Sequence, residues 1–115
     1  MNIERIGTTK RWSDVVIYNK TLYLVEIPTN TNQSLREQSI ELLKLIDKSL
    51  NTNNSDKSLI LSTTIFLKDI TQIEIFNSIW DDWIPDGSAP SRACIEANLA
   101  NKDYLVEIQL TAAIK

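Results

Sequence analysis

Two stretches decide the reading of this chain: SRACIEA at residues 91–97 and YLVEIQLTAA at residues 104–113. Both have the two-residue period of a strand, in which alternate side chains point to opposite faces. In the second, Val106, Ile108, Leu110 and Ala112 make a core face, and Leu105, Glu107, Gln109 and Thr111 share the other. In the first, Arg92, Cys94 and Glu96 lie opposite Ala93, Ile95 and Ala97. The segment from Asn98 to Asp103 turns the chain back, so Arg92 and Glu107 are about equally far from the turn. They are expected at similar height on the sheet, whether the two strands are neighbours or one strand apart. Each is a charge inside an apolar strand, which is costly unless it is paired. Two readings stay open: an anion site, with Arg92 gripping a carboxylate at two points and Glu107 as acid or base, or a structural ion pair at a subunit interface.

Working outward, Thr71 with Glu74 has the spacing of a capping box. Ile73, Phe76, Ile79, Trp80 and Trp83 then line one side of a helix that Pro85-Asp86-Gly87 ends. Trp80 and Trp83 read as packing residues that could also wall a cleft. The stretch LILSTTIFL, residues 59–67, is too short for a helix and rich in β-branched residues, so it reads as a buried central strand. A polar loop, NTNNSDK at residues 51–57, precedes it. Ser34 with Glu37 marks a second capping box. It opens a helix from Ser34 to Leu50 whose stripe is Leu35, Leu42, Leu43, Ile46 and Leu50, widened by Ile40 and Leu45. Upstream, DVVIY at 14–18 and LYLVEI at 22–27 flank the turn Asn19-Lys20 as a hairpin. Met1 to Ile6 adds a weak first strand. The order is β-β-β-α-β-α-β-β, an α+β chain with one sheet of about six strands and both helices on one face.

Composition narrows the function. A chain of 115 residues suits one domain, and its small core favours an oligomer. The net charge of −3 with scattered Lys and Arg lacks the basic patch that displaces counterions from phosphates, which disfavours nucleic acid. The Lys residues read as solvated surface. Histidine is absent, which removes a Ser-His or Cys-His nucleophile pair and the commonest metal ligand. With Cys94 as the single cysteine, no intrachain disulfide and no cysteine zinc site can form. No cofactor or metal is expected. MNIERIGTTKRW has no apolar stretch of a signal peptide, and no run reaches membrane-spanning length, so a cytoplasmic location is expected.

The stretch WDDWIPDGSAPSRACIEANLANKDYLVEIQLTAA, residues 80–113, resembles the C-terminal signature of the RidA/YjgF family. STTIFLKDI followed by Asn77 resembles that family's central strand and helical Asn, and Arg36-Glu37-Gln38 resembles the start of its first helix. The resemblance implies a chorismate-mutase-like fold in a homotrimer with clefts between subunits. It also implies hydrolysis of enamine and imine intermediates to 2-keto acids plus ammonia. At the matched positions Arg92 would bind the substrate carboxylate, Glu107 would orient the attacking water, and Asn77 would lie near the cleft.

The N-terminal half departs from the deaminating members. Their Gly-Pro-Tyr-Ser reads Lys10-Arg11-Trp12-Ser13, where Trp12 keeps an aromatic wall without a phenol hydroxyl. Their Ser-Gly-Gln-Ile-Pro reads Leu24-Val25-Glu26-Ile27-Pro28, so Val25 crowds a place where glycine lets backbone approach ligand, and Glu26 adds negative charge. This pattern suits a divergent subgroup and raises a competing function: a non-catalytic protein holding a small carboxylic or keto acid. Endoribonuclease or translation-inhibitor activity, attributed to some relatives, is disfavoured by the acidic pI and the missing histidine. Cys94 shares a strand face with Arg92 and is placed with it in the candidate binding site. A free cysteine there reads first as a small buried hydrophobe, with a thiol pKa lowered by Arg92 and redox sensitivity as the alternative.

Overall fold

The computed structural model describes residues 1–115. Strands β1 (Glu4–Ile6), β2 (Val15–Tyr18) and β3 (Thr21–Glu26) are followed by helix α1 (Leu35–Thr52), strand β4 (Ile60–Leu67), helix α2 (Ile73–Trp83), and strands β5 (Ser91–Glu96) and β6 (Val106–Ala113). The sheet order is β1-β2-β3-β6-β4-β5. All neighbours are antiparallel except β4 and β5, which run parallel. The expected order of elements and the placement of both helices on one face are what the chain adopts.

Local chemistry explains most boundaries. At the hairpin, Asn19 and Lys20 both take positive φ, 53° and 58°. That conformation matches the twist of the flanking strands. In α1 the expected capping box forms: Glu37 N–H donates to Ser34 Oγ at 3.2 Å, and Ser34 N–H donates to Glu37 Oε1 at 3.1 Å. The second expected box does not form. Asp69 caps a short 3-10 turn there, accepting from Thr71 N–H at 3.0 Å and from Thr71 Oγ1 at 2.6 Å. The threonine hydroxyl is thus spent backwards on a carboxylate, and α2 starts without a side-chain cap.

The stripe of α1 is narrower than expected, since Ile40 is exposed and Leu45 half-buried. Two polar residues, Gln38 and Ser39, are fully buried instead. Gln38 belongs there because its amide ties three segments together. The two hydrogens of its Nε2 are shared among the carbonyls of Asp103 at 3.1 Å, Gln33 at 3.3 Å and Thr31 at 3.4 Å, and its Oε1 accepts from Leu105 N–H at 2.9 Å. An amide so satisfied can be buried at little cost.

Strand β4 is buried on one face rather than two. Opposite β6 its register shifts between Ile60 and Ser62, leaving exposed Leu61 as the extra residue of a bulge. That residue changes the parity: Ile60 faces the core, and beyond the bulge Thr63, Ile65 and Leu67 do. The core lies between the helices and this face. Leu22 and Leu24 of β3, Ile65 and Leu67 of β4, and Val106, Ile108 and Leu110 of β6 meet Leu42, Leu43, Ile46 and Leu50 of α1 and Phe76, Ile79 and Trp80 of α2. The opposite face of the sheet carries no helix. No helix is long and apolar enough to cross a membrane.

Candidate functional site: an arginine on the sheet edge

Strand β5 is the sheet edge beyond β4, with Arg92 beside Thr63, Cys94 beside Ile65 and Glu96 beside Leu67. Those three β4 residues are buried, so Arg92, Cys94 and Glu96 point to the helix side. There α2 receives the arginine. Arg92 Nη2 donates to Asn77 Oδ1 at 2.8 Å, and the guanidinium carbon stands 5.4 Å from the centroid of the Trp80 ring. Asn77 and Trp80 are three residues apart on α2, which puts them on one helix face. The guanidinium has no acidic partner. The chain's one ion pair is Lys115–Asp56, and Glu96, the carboxylate on the same face of β5, accepts instead from Ile70 N–H at 3.0 Å.

Glu107 is elsewhere. It pairs with Phe66 on β4, and Phe66 pairs with Ile95 on β5. Its neighbours Val106 and Ile108 are buried under the helices, so Glu107 points to the bare face. The expectation of equal height is therefore wrong. Arg92 is level with Thr63 and Leu110, and Glu107 is level with Phe66, three residues further along β4. At the rise of a strand, three residues span about 10 Å. Strand β4 lies between the two side chains and they face opposite ways. Within one chain they form neither an ion pair nor a joint site. Partial burial nevertheless raises the carboxyl pKa of Glu107 above its ordinary value.

Cys94 is half-buried, and loss of solvent pushes its thiol pKa up more than the charge of Arg92 pulls it down. This favours the small-hydrophobe reading over the redox-sensitive alternative, because burial penalises a thiolate directly whereas Arg92 acts across exposed surface. The thiol remains protonated at neutral pH.

Trp12 lies at the far side of the sheet, in the loop between β1 and β2. Thr9 Oγ1 shapes that loop by accepting from the N–H of Arg11 and of Trp12, both at 3.1 Å. Trp12 is 60% exposed and borders a hollow of about 400 Å³ with Ser13, Asp14, Val25, Glu26 and Ile27. Burial, reinforced by the nearby Asp14 charge, raises the carboxyl pKa of Glu26 above its ordinary value, against a hydrogen bond with the Ile27 backbone. Val25 also lines a second hollow, of about 360 Å³, on the bare face. There Tyr23, Thr64 and Gln109 join Ser62 and Thr111, whose hydroxyls are 2.6 Å apart.

The chain thus gathers Arg92, Asn77 and Cys94 at one sheet edge and leaves Trp12 and Glu107 apart from them. Trp80 is the contact that a packing reading of α2 missed, although its spacing from Asn77 carried the signal. No cluster of His, Cys, Asp or Glu side chains converges to hold a metal ion.

The family model described as Endoribonuclease L-PSP matches residues 2–114. The RutC family protein YoaB of Escherichia coli is 44% identical, covering 99% of this chain and all of the relative. A YjgF family structure from Neisseria meningitidis superimposes with a TM-score of 0.95 at 37% identity, covering 100% of this chain and 97% of the other. A Rid family structure from Yersinia pestis gives 0.88 at 27% identity, covering 98% and 100%. With its whole length matched in sequence and in fold, the chain belongs to the RutC/YjgF/Rid family.

Proposed function

We propose that this protein hydrolyses small enamine or imine acids to 2-keto acids and ammonia, in clefts between the subunits of a homotrimer. The observation that carries the reading is the state of Arg92: a guanidinium oriented by a neutral amide and an indole face, with no carboxylate of its own chain to neutralise it. Such a group is a receptor for a carboxylate, which it can hold by two parallel N–H···O contacts. In the proposed reaction water adds to the C=N carbon of the bound imine, the carbinolamine collapses, and ammonia leaves with the nitrogen. The net balance is imine plus water to ketone plus ammonia.

A proton acceptor is needed beside that water, and Glu107 is the candidate. Its raised pKa makes it a stronger base than an ordinary surface carboxylate. Because Glu107 and Arg92 of one chain face opposite ways, the proposal takes the arginine from one subunit and the glutamate from its neighbour. Tyr23, Val25 and Ile95, exposed on the bare face, supply apolar surface for that neighbour.

Two measurements test this. The first is keto-acid release from 2-aminoacrylate by wild type, Arg92→Ala and Glu107→Ala, each checked for folding and assembly. Wild type is expected to accelerate release, and each substitution to remove at least about a hundredfold of the acceleration. The second mixes the two inactive variants after dissociation. Random assembly gives each inter-subunit site a one-in-four chance of holding both intact residues, so about a quarter of wild-type activity returns. A site within one chain would return none. No acceleration by wild type would sink the deaminase reading.

A further inference from the structure

We infer that Trp80 is a positioning residue for Arg92: its buried indole sets the plane of the guanidinium and thereby aims the arginine's free N–H groups at an anion. A long side chain on an exposed edge strand would otherwise sample many orientations. The hydrogen bond to Asn77 Oδ1, 2.8 Å from Nη2, fixes one point of the fork but allows rotation about that contact. The guanidinium carbon stands 5.4 Å from the Trp80 centroid. A ring face beneath the guanidinium at that range attracts the cation and restricts the rotation. Both contacts hold the cation without neutralising it, since an amide oxygen and an aromatic quadrupole bear no net charge. A carboxylate in either place would hold Arg92 equally well and cancel the charge that a ligand must find.

The shelf is itself anchored. Trp80 is 4% exposed and packs between Phe76, at 6.0 Å between ring centroids, and Trp83, at 5.4 Å. Trp83 Nε1 donates to Asp47 Oδ2 of α1 at 2.9 Å, and Lys57 Nζ lies 5.5 Å from the Trp83 ring. The orientation of Arg92 is thus tied through two indoles to the middle of α1. A core tryptophan needs only apolar neighbours; this one also presents its face to the guanidinium of Arg92.

The inference rests on the proposed carboxylate role of Arg92 only for its effect on binding, so two readouts are used. The Arg92 Nε–Hε resonance, identified by its loss in Arg92→Ala, reports the shelf directly. In wild type it is expected upfield through the indole ring current and slow to exchange. Trp80→Phe should move it part of the way to an ordinary arginine position and Trp80→Leu the whole way. The second readout is affinity for pyruvate as the carboxylate probe: about threefold weaker in Trp80→Phe and about tenfold weaker in Trp80→Leu. Asn77→Asp, which keeps the hydrogen bond and adds the opposite charge, should weaken pyruvate at least as much while leaving Nε–Hε upfield. An unshifted Nε–Hε in wild type overturns the inference. So does unchanged pyruvate affinity in folded Trp80→Phe when Arg92→Ala has lost binding. An upfield Nε–Hε that Trp80→Phe reduces, in a wild type that ignores pyruvate, supports the shelf and removes the carboxylate-anchor reading instead.

Discussion

The two faces of the sheet are made by the same strands and have been put to opposite uses. Under the helices, alternate residues of β3, β4 and β6 are apolar and almost wholly out of water. On the bare side the intervening residues are Tyr23, Val25, Ser62, Thr64, Gln109, Thr111 and Glu107, a mixture of hydroxyl, amide, carboxyl and apolar groups at partial exposure. The first face is a core in which volume decides everything. The second is neither a core nor an ordinary solvated surface. It keeps apolar side chains without covering them, and it half-buries a carboxyl without pairing it. The proposed chemistry draws on both, because Arg92 rises at the edge of the helix side and Glu107 from the bare side.

The largest expected effect tests whether the faces differ in energy as they do in burial. Phe76 is fully buried. Phe76→Ala should cost about 3–5 kcal/mol in urea unfolding. Tyr23→Ala on the bare face should stay within about 0.5 kcal/mol in the isolated chain. In the proposed trimer a further loss for Tyr23→Ala that depends on protein concentration is expected. A loss comparable to that of Phe76→Ala and independent of concentration would break the contrast, because the bare face would then act as core within one chain.

Next in size is Gln38→Leu, which leaves Leu105 N–H and the Asp103 carbonyl without their partner under α1. It should cost about 1–3 kcal/mol and raise hydrogen exchange at Leu105 selectively. Ser34→Ala removes one half of the capping box. It should cost about 1 kcal/mol, read by the same unfolding curves.

The smallest effect is the most diagnostic. Glu107 has a raised pKa from burial, so between its ordinary value of 4.5 and its folded value the folded chain binds more protons than the unfolded one. Stability from this group is therefore present at low pH and is lost as pH rises through that window. Glu107→Gln should melt above wild type at pH 8, and the gap should close towards pH 4. Glu37 has the opposite sign. Hydrogen bonds from Ser34 lower its pKa below 4.5, so its contribution is present above that value and disappears on acidification. Thermal melts of Glu107→Gln and Glu37→Gln across pH should diverge in opposite directions. Parallel curves would show that Glu107 is fully solvated and that the bare face is ordinary surface.

Local regularities were open to reading from residues alone. The period of two in YLVEIQLTAA identified the core face of β6 correctly, and Ser34 with Glu37 marked the start of α1, because both signals involve neighbours in sequence. SRACIEA was harder. Its alternation sets Ala93 and Ile95 against Arg92 and Cys94, and the more apolar set would pass for the core face. Ile95 is nevertheless 45% exposed on the bare side while Arg92 lies on the helix side. An edge strand has little core to fill, so its pattern follows the needs of the site and of the uncovered face.

What this sequence determined by itself is its set of elements, its helix-covered core and, through resemblance, its family. Each of those follows from short-range spacing or from a motif read in order. Only the tertiary structure decided that β4 lies between β5 and β6, that the bulge at Leu61 resets which residues face inward, and that Arg92 and Glu107 end on opposite faces three residues apart along the sheet. Register is the reason. A strand's side chains alternate strictly, so one inserted residue or one intervening strand changes which face and which height a side chain takes, and the contacts that set register join residues far apart in the chain.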